Sequence, residues 1–261
     1  MMFSFRYTTL YFFILVFSPN ILMIAGAKFP WFLYLILLFV YLFISVFLSF
    51  FICSGFHMKV PCHGARNIRS VSLTFDDGPD PVRTPLILDI LAEEKVKATF
   101  FCKGKNLDGN EEIVRRIVRE GHRIGGHSYS HSDWFDFYPA RKMIAELSRT
   151  DEKIFSITGF KPRLFRPPYG VINPMVKKAV VAMKYEVIGF SNRLWDTTSR
   201  EPEKLLARFR KQLRSGDIIL LHDTGRHTSG ILKKIILHAR SDGYSIIPLD
   251  EMLNLSVNEA S

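Results

Sequence analysis

Residues 70–79 read SVSLTFDDGP, an apolar run that ends in two adjacent carboxylates and a Gly-Pro pair. The run at 70–75 predicts a buried strand, and the Gly-Pro pair predicts that the chain turns into a loop directly after Asp76 and Asp77. Further along the chain, short apolar runs alternate with helical patterns. This alternation is typical of βα units around a parallel sheet or barrel, in which catalytic residues collect at the C-terminal ends of the strands.

The predicted elements extend from residue 70 to residue 248. The strands are 70–75, 98–102, 122–125, 164–166, 185–190, 217–221 and 244–248. The helices are 83–94, 111–120, 140–158, 174–184, 202–214 and 231–240. We therefore expect the polar residues that follow these strands to meet at one end of the sheet.

Two of the strand ends carry residues that suit a metal ion. In the pair Asp76 and Asp77, one carboxylate can bind a metal while the other handles a proton. The motif HSYSH places His127 and His131 four residues apart, a spacing that on a helical turn lets both imidazoles reach one ion. With Asp77 they predict a site of two histidines and one carboxylate. Taken alone, the DDG sequence favours a solvated acidic turn, and the histidine pair is equally typical of two ordinary histidines at a helix start.

Two further strand ends suit acid–base chemistry. In RPPYG at 166–170, a buried arginine would hold a carboxylate in place, and the prolines stiffen a turn whose backbone N–H suits an oxyanion. LLHD at 220–223 ends a buried strand with His222, a position that suits a general acid. Asp196 ends the preceding stretch and is a candidate to orient His222.

Together, these motifs resemble those of the polysaccharide deacetylase family, carbohydrate esterase family four. Four of the five ordered family motifs match well: TFDDGP at 74–79, HSYSH at 127–131, RPPYG at 166–170 and LLH at 220–222. The resemblance covers roughly residues 68–255.

The remaining family motif is altered in this chain. In RLWDT at 193–197, Arg193 replaces the family's first aspartate and Thr197 replaces its tryptophan, whereas Asp196 remains. The missing tryptophan usually lines the substrate pocket, so the departure changes the expected pocket shape rather than the chemistry. Trp195 is not expected to replace it, because neighbouring strand residues point to opposite faces.

The resemblance implies an α/β fold, a distorted (β/α) barrel, and metal-dependent hydrolysis that removes N-acetyl groups from amino sugars. The implied ligands of a divalent metal ion, zinc above all, are Asp77, His127 and His131. The implied catalytic residues are Asp76 as the base, Arg166 as its partner, His222 as the acid and Asp196 as the group that orients His222. The implied oxyanion- or substrate-binding residues are Tyr169, through its backbone N–H, Pro168 and Leu220.

The implied substrate is an N-acetylated polysaccharide or oligosaccharide that is peptidoglycan- or chitin-like. An alternative within the same fold is a deacylase or deformylase of a lipid-linked amino sugar. A third hypothesis is a carbohydrate-binding protein without activity. The argument against it is that all of the main site residues are intact: Asp76, Asp77, His127, His131 and His222. Membrane lipid is the other expected partner, and neither a nucleic acid nor a protein partner is expected. The net charge of +10 suits an anionic lipid or polymer, but spread-out solubility charge is the simpler explanation.

Residues 1–56 contain only two charged side chains and predict a membrane anchor. Two uncharged stretches predict transmembrane helices at about 7–27 and 29–53, because roughly 20 apolar residues cross a bilayer core. The first stretch ends in Ala25-Gly26-Ala27, which resembles a signal-peptide cleavage site, so a signal peptide remains an alternative there. We prefer a multi-pass integral membrane protein with a hairpin turn at Lys28.

The rest of the chain divides into a basic linker at 57–69, a catalytic domain at 70–255 and a tail at 256–261. A two-span hairpin puts both of its ends on one side of the membrane. That side carries four basic residues, Arg6, Lys59, Arg66 and Arg69, so the positive-inside rule places it in the cytoplasm. The family's usual polymer substrates lie outside the cell, so the sequence does not decide on which side of the membrane the catalytic domain lies.

Three cysteines are too few for a disulfide framework, and no CxxC pair is present. Cysteine usage therefore excludes a thiolate zinc knuckle and does not fix the redox compartment. Cys102 is expected in the core.

Overall fold

The computed structural model of the chain describes residues 4–24, 30–197 and 201–255. The expected hairpin turn at Lys28, the cleavage-like sequence at 25–27 and the tail at 256–261 lie outside the described residues.

Two helices, α1 (Phe5–Ile24) and α2 (Phe32–Ser49), form the N-terminal part. They lie side by side, with the Thr9 hydroxyl 2.9 Å from the Tyr41 hydroxyl and the ring of Phe12 stacked on that of Tyr41. Among the described residues, α2 is the one helix that is long and apolar enough to cross a membrane, with a mean hydropathy of 2.6 over 18 residues. The structure thus supports one apolar span, and the expected second span is not established by it.

Residues 70–253 alternate strands and helices as the sequence predicts. The strands are β1 (Ser70–Asp76), β2 (Thr99–Cys102), β3 (Arg123–Gly126), β4 (Leu164–Phe165), β5 (Glu186–Val187), β6 (Asn192–Arg193), β7 (Asp217–His222) and β8 (Ser245–Ile246). The helices are α3 (Arg83–Glu93), α4 (Glu111–Arg119), α5 (Ala140–Thr158), α6 (Pro174–Ala182), α7 (Pro202–Gln212), α8 (Thr228–Ser241) and α9 (Leu249–Leu253).

The strands form one curled parallel sheet in the order β5-β4-β3-β2-β1-β7-β6, and β8 pairs with the start of β1. All strand pairs in it are parallel, as expected for βα units. Within the described residues, β5 and β6 are the two edges, so the sheet is a half-barrel rather than a closed barrel. The predicted α/β class is confirmed in this open form.

The central strand β1 is buried along its whole length, as is typical of a parallel strand covered on both faces. Its register places Asp76 beside His222 of β7 and beside Phe101 of β2. The polar residues that end β1 and β7 therefore lie level with each other. Cys102 at the end of β2 is buried, as predicted.

Two element boundaries differ from the predictions for identifiable reasons. The predicted strand at 185–190 is reduced to Glu186–Val187, because the Ile188 and Gly189 carbonyls accept hydrogen bonds from Arg166 instead of from a strand. The pair Asn192–Arg193 forms β6 against β7, although this polar sequence carries no apolar run that would predict it.

Residues 50–69 pack against the catalytic region and do not hang free as a linker. The Ile172 N–H donates to the Ser49 carbonyl at the end of α2, and the buried His57 lies 2.9 Å from the Ser49 hydroxyl. Cys53 and Cys62 form a disulfide with their Cα atoms 5.9 Å apart. The sequence did not predict this disulfide, which closes a loop within the segment after α2, and Cys62 in turn packs against Gly189.

Candidate active site

A cavity of about 230 Å³ opens at the C-terminal ends of β1, β3 and β7. Seven of the ten predicted site residues line it: Asp76, Asp77, His127, His131, Tyr169, Leu220 and His222. Arg166 and Asp196 lie behind it, fully buried, and each binds a residue that lines the cavity. Pro168 is also buried, and it is its neighbour Pro167 that reaches the cavity.

Three of these residues form a group that fits a metal ion. Ligand atoms of Asp77, His127 and His131 all lie within 4.8 Å of one another. Asp77 Oδ1 is 3.6 Å from His127 Nε2 and 3.4 Å from His131 Nε2. His127 Nδ1 is 2.6 Å from the Arg166 carbonyl, which can only accept, so Nδ1 carries the proton and Nε2 keeps its lone pair for a metal. The donor set suits a divalent cation.

The two histidines do not share a helical turn, and the expectation that they would was wrong. Ser128 and His131 have positive φ angles of 58° and 50°, and the segment is a loop. The Ser128 carbonyl accepts from Gly104 N–H in the loop after β2, so it is not available to a helix. The Ser128 hydroxyl accepts the His131 N–H and closes the loop that brings the histidines together.

Burial and charge set the protonation of the three residues. Burial alone would raise the pKa of Asp77, but the neighbouring charges of His127 and Lys103 lower it to about 2. Burial lowers the pKa of His127, and burial together with the nearby His127 lowers that of His131 to about 3. At neutral pH the group is one carboxylate and two neutral imidazoles, the forms that bind metals. Lys103, whose Nζ lies 2.9 Å from Asp77 Oδ1, was not identified from the sequence.

The second carboxylate, Asp76, is held by Arg166. The Arg166 Nη1 atom donates to Asp76 Oδ1 and to the Thr74 hydroxyl, at 2.8 Å each. Its other nitrogens donate to the Ile188 and Gly189 carbonyls, so each nitrogen of the buried guanidinium has a partner. This is the carboxylate–arginine contact that the sequence predicted.

His222 and Asp196 form a second buried pair. His222 Nδ1 lies 2.7 Å from Asp196 Oδ1, so Nδ1 carries the proton and Nε2 remains for a reacting group. Burial alone would lower the pKa of His222, but the hydrogen bond and charge of Asp196 raise it above its ordinary value. Asp196 Oδ2 accepts from the His222 N–H and from the Thr228 hydroxyl. Thr228 begins α8, three residues before the predicted start of that helix, and was missed for this reason.

Tyr169 occupies a left-handed turn at the rim of the cavity. Its φ is 56°, and its hydroxyl donates to Asp133 Oδ1 at 2.7 Å. Burial and this hydrogen bond raise the pKa of Tyr169 to about 12, so its hydroxyl stays protonated. Leu220, two residues before His222 on β7, provides apolar surface.

The stretch around residues 190–197 forms the wall of the cavity opposite the metal-binding group. Arg193 and Thr197 line the cavity together with Phe190. Trp195 is not among the described residues that line it. Its ring lies 4.0 Å below the Arg193 guanidinium, in a cation–π contact.

Comparisons with known proteins identify the family of this chain. Residues 63–188 match the family model described as polysaccharide deacetylase. A peptidoglycan-N-acetylglucosamine deacetylase of Bacillus cereus is 34% identical over 198 residues, which are 72% of this chain and 89% of the relative. The peptidoglycan-N-acetylmuramic acid deacetylase PdaC of Bacillus subtilis is 32% identical, and the match spans 71% of this chain but 39% of that relative.

Among solved structures, the crystal structure of a peptidoglycan N-acetylglucosamine deacetylase superimposes with a TM-score of 0.72. It is 31% identical in sequence and covers 77% of this chain and 95% of its own.

Proposed function

Since the chain belongs to the polysaccharide deacetylase family, whose named relatives are carbohydrate N-deacetylases, we propose that it removes N-acetyl groups from an amino-sugar glycan of the cell envelope. The products are acetate and a free amine. The observation that carries the proposal is the gathering of Asp76, Asp77, His127, His131 and His222 in one cavity.

The metal-dependent part of the proposal rests on Asp77, His127 and His131, which would hold the ion. Two histidines and a carboxylate favour zinc, although other divalent metals accept the same donors. When bound, the ion supplies Lewis-acid polarisation of the acetamide carbonyl.

Residues of this chain supply the proton transfers. Asp76, oriented by Arg166, accepts the proton of the attacking water. His222, whose pKa is raised by the hydrogen bond and charge of Asp196, donates a proton to the departing amine. The backbone N–H of Tyr169 is the proposed donor to the oxyanion, with Pro168 shaping its turn and Leu220 packing against the substrate.

We place the catalytic domain at 70–255 and the membrane anchor at 1–56. The contacts between α1 and α2 favour a hairpin of two spans: Tyr34 donates to the Asn20 side chain, and Thr9 pairs with Tyr41. Polar groups of α1 that lipid would leave unsatisfied thus have partners on α2.

The disulfide between Cys53 and Cys62 favours the outer, oxidising side for the domain, because disulfides are rare in reducing compartments. The count of basic residues favoured the cytoplasm, but one of them, Arg66, is paired with Asp217. A single cysteine placed after Val257, in a chain with Cys102→Ala and the disulfide intact, tests the side. We expect a membrane-impermeant maleimide to label it in intact cells, and labelling only after lysis would refute the outer placement.

The substrate is tested with the purified full chain. We expect acetate release from at least one of three classes: N-acetylated oligosaccharides, peptidoglycan, and polyprenyl-linked amino sugars. Binding without acetate release, in protein loaded with metal, would instead support a carbohydrate-binding protein. Release of formate or a longer acyl group from the lipid-linked class would support the deacylase alternative.

A further inference from the structure

A second, larger groove adjoins the catalytic cavity. Its volume is about 1050 Å³, and it shares Phe190 and Arg193 with the cavity. Phe51, the second residue after α2, also lines it, and its side chain is 52% exposed. The groove is therefore lined both by the segment directly after the membrane helix and by the wall of the catalytic site.

The groove is strongly basic. Its cationic side chains are Arg66, Arg193, Arg208, Lys211 and Arg214. Its carboxylate, Asp217, is buried and bound by Arg66 at 2.7 Å and by the Ser191 hydroxyl at 2.8 Å. Within the described part of the chain, none of the other four basic residues forms a salt bridge, although the charges of Asp76, Asp77 and Asp196 act on Arg193. The groove itself therefore has an excess of positive charge.

Two of these arginines have donors that nothing in the described chain accepts. The Nε atoms of Arg193 and Arg208 are buried, and neither has an acceptor among the described residues. A buried donor without an acceptor is costly, and no acceptor of the described chain holds these two guanidinium groups through Nε, so an anion in the groove would offset their charge. Guanidinium groups fit phosphate oxygens through paired hydrogen bonds, and several cations in one groove match more than one negative charge.

The position of Arg193 connects this charge to the substrate. Arg193 lines both the catalytic cavity and the groove, so one positive charge faces both. The anion that this wall suits is therefore carried by the substrate, and Phe51 places that anion near the bilayer surface.

We propose that the groove binds the diphosphate of a lipid-linked amino sugar while the acetamide of the sugar occupies the catalytic cavity. This inference rests on the proposed N-deacetylase function and specifies its substrate class. It favours a membrane-linked glycan over a finished polymer.

The test compares two substrates on the full chain in detergent micelles: N-acetylglucosamine linked to a polyprenyl diphosphate, and an N-acetylglucosamine oligosaccharide without phosphate. We expect kcat/KM to be higher for the diphosphate-linked substrate. In Arg208→Gln with Lys211→Gln, the ratio of the two kcat/KM values should fall by about tenfold or more, through KM, because charge-assisted hydrogen bonds are lost. Arg210→Gln, an exposed arginine of the same helix outside the groove, should leave the ratio unchanged.

Competition separates the possible sources of phosphate. Inorganic pyrophosphate should inhibit deacetylation of the linked substrate competitively, and the double variant should weaken this inhibition. Equal inhibition by phosphatidylglycerol in the micelles would show a site for lipid headgroups and overturn the substrate assignment. An unchanged ratio, with hydrolysis of the phosphate-free sugar intact, would overturn the groove proposal alone. No hydrolysis of either substrate, together with none of peptidoglycan, would overturn the N-deacetylase function.

Discussion

The two sides of the catalytic cavity differ in how firmly their side chains are held. On the metal side, Asp76, His127 and Arg166 are almost fully buried and bonded to one another or to backbone carbonyls. On the opposite wall, Arg193 is half-buried and Thr197 is exposed. We infer that the buried side carries the reaction itself and that the open wall selects the substrate.

The junction with the membrane helix adds to this contrast. Cys53 Sγ lies 3.1 Å from the carbonyl of Phe190, a residue of the open wall, and Cys62 packs against Gly189. The wall is thus supported by the segment after α2, whereas the metal side is supported by the sheet. We therefore expect substitutions on the metal side to remove activity and those on the wall to change substrate preference.

The largest effect is expected from the metal ligands. Asp77→Ala or His127→Ala should remove divalent metal binding and activity together, because a three-ligand site does not stay tight with two. Elemental analysis of the purified variants and their acetate release measure both. His63→Ala, an exposed histidine outside the cavity, is the matched control and should keep both. A full metal load in the two ligand variants would contradict the assignment of Asp77 and His127 as metal ligands.

Asp76→Asn should separate chemistry from metal binding. It removes the base and leaves the three ligands, so the metal load should stay and the rate should fall by about 10²–10⁴-fold. Metal content and kcat measured on one preparation decide the outcome. If the metal is lost instead, the roles of Asp76 and Asp77 are reversed.

The pH dependence of kcat tests the pairing of His222 with Asp196. The charge of Asp196 raises the pKa of His222, so Asp196→Asn should lower that pKa. His222 then loses its proton at lower pH, and the alkaline limb of kcat against pH should move down the pH scale, with kcat reduced by about 10²-fold. Thr228→Val keeps the carboxylate and should move the limb less. An alkaline limb that stays in place in Asp196→Asn would contradict the role of His222 as the acid.

The smallest effect on the chemistry is expected from the disulfide. Cys53→Ser with Cys62→Ser should lower the stability of the junction by about 2–4 kcal/mol and raise KM through the wall at Phe190. The metal load should not change, because the disulfide touches none of the ligands. Thermal melting, metal analysis and KM test this, with Cys102→Ala as the control that keeps the disulfide. Loss of metal in the double variant would show that the two sides are not independent.

The parts of the site that follow strands were predictable from the sequence. Asp76 and His222 each end a buried apolar run, and strand ends of a parallel sheet meet at one edge, so their proximity followed from the alternating pattern. Arg166 was predicted as a carboxylate partner for the same reason. The open form of the sheet was not predictable, because closure depends on whether β5 and β6 pair, and both are only two residues long.

Residues positioned by loops were missed. Lys103 reaches Asp77 from the loop after β2, and Thr228 reaches Asp196 from the start of α8, and neither contact follows from sequence spacing. The Cys53–Cys62 disulfide was missed because three cysteines allow several pairings, and the packing of residues 50–62 on the domain selects one. His127 and His131 do not form the expected helical turn, because the Ser128 carbonyl accepts a hydrogen bond from the loop after β2.

The central claim, that this chain is a metal-dependent N-deacetylase, is tested most directly by chelation. Acetate release from an N-acetylated amino sugar is measured with the purified full chain before chelation, after complete removal of metal, and after zinc is restored. We predict that release is lost on chelation, returns with zinc in the unaltered chain, and does not return in His127→Ala. Acetate release that survives complete removal of metal, or no release from the metal-loaded chain on any of the three substrate classes, would contradict the account.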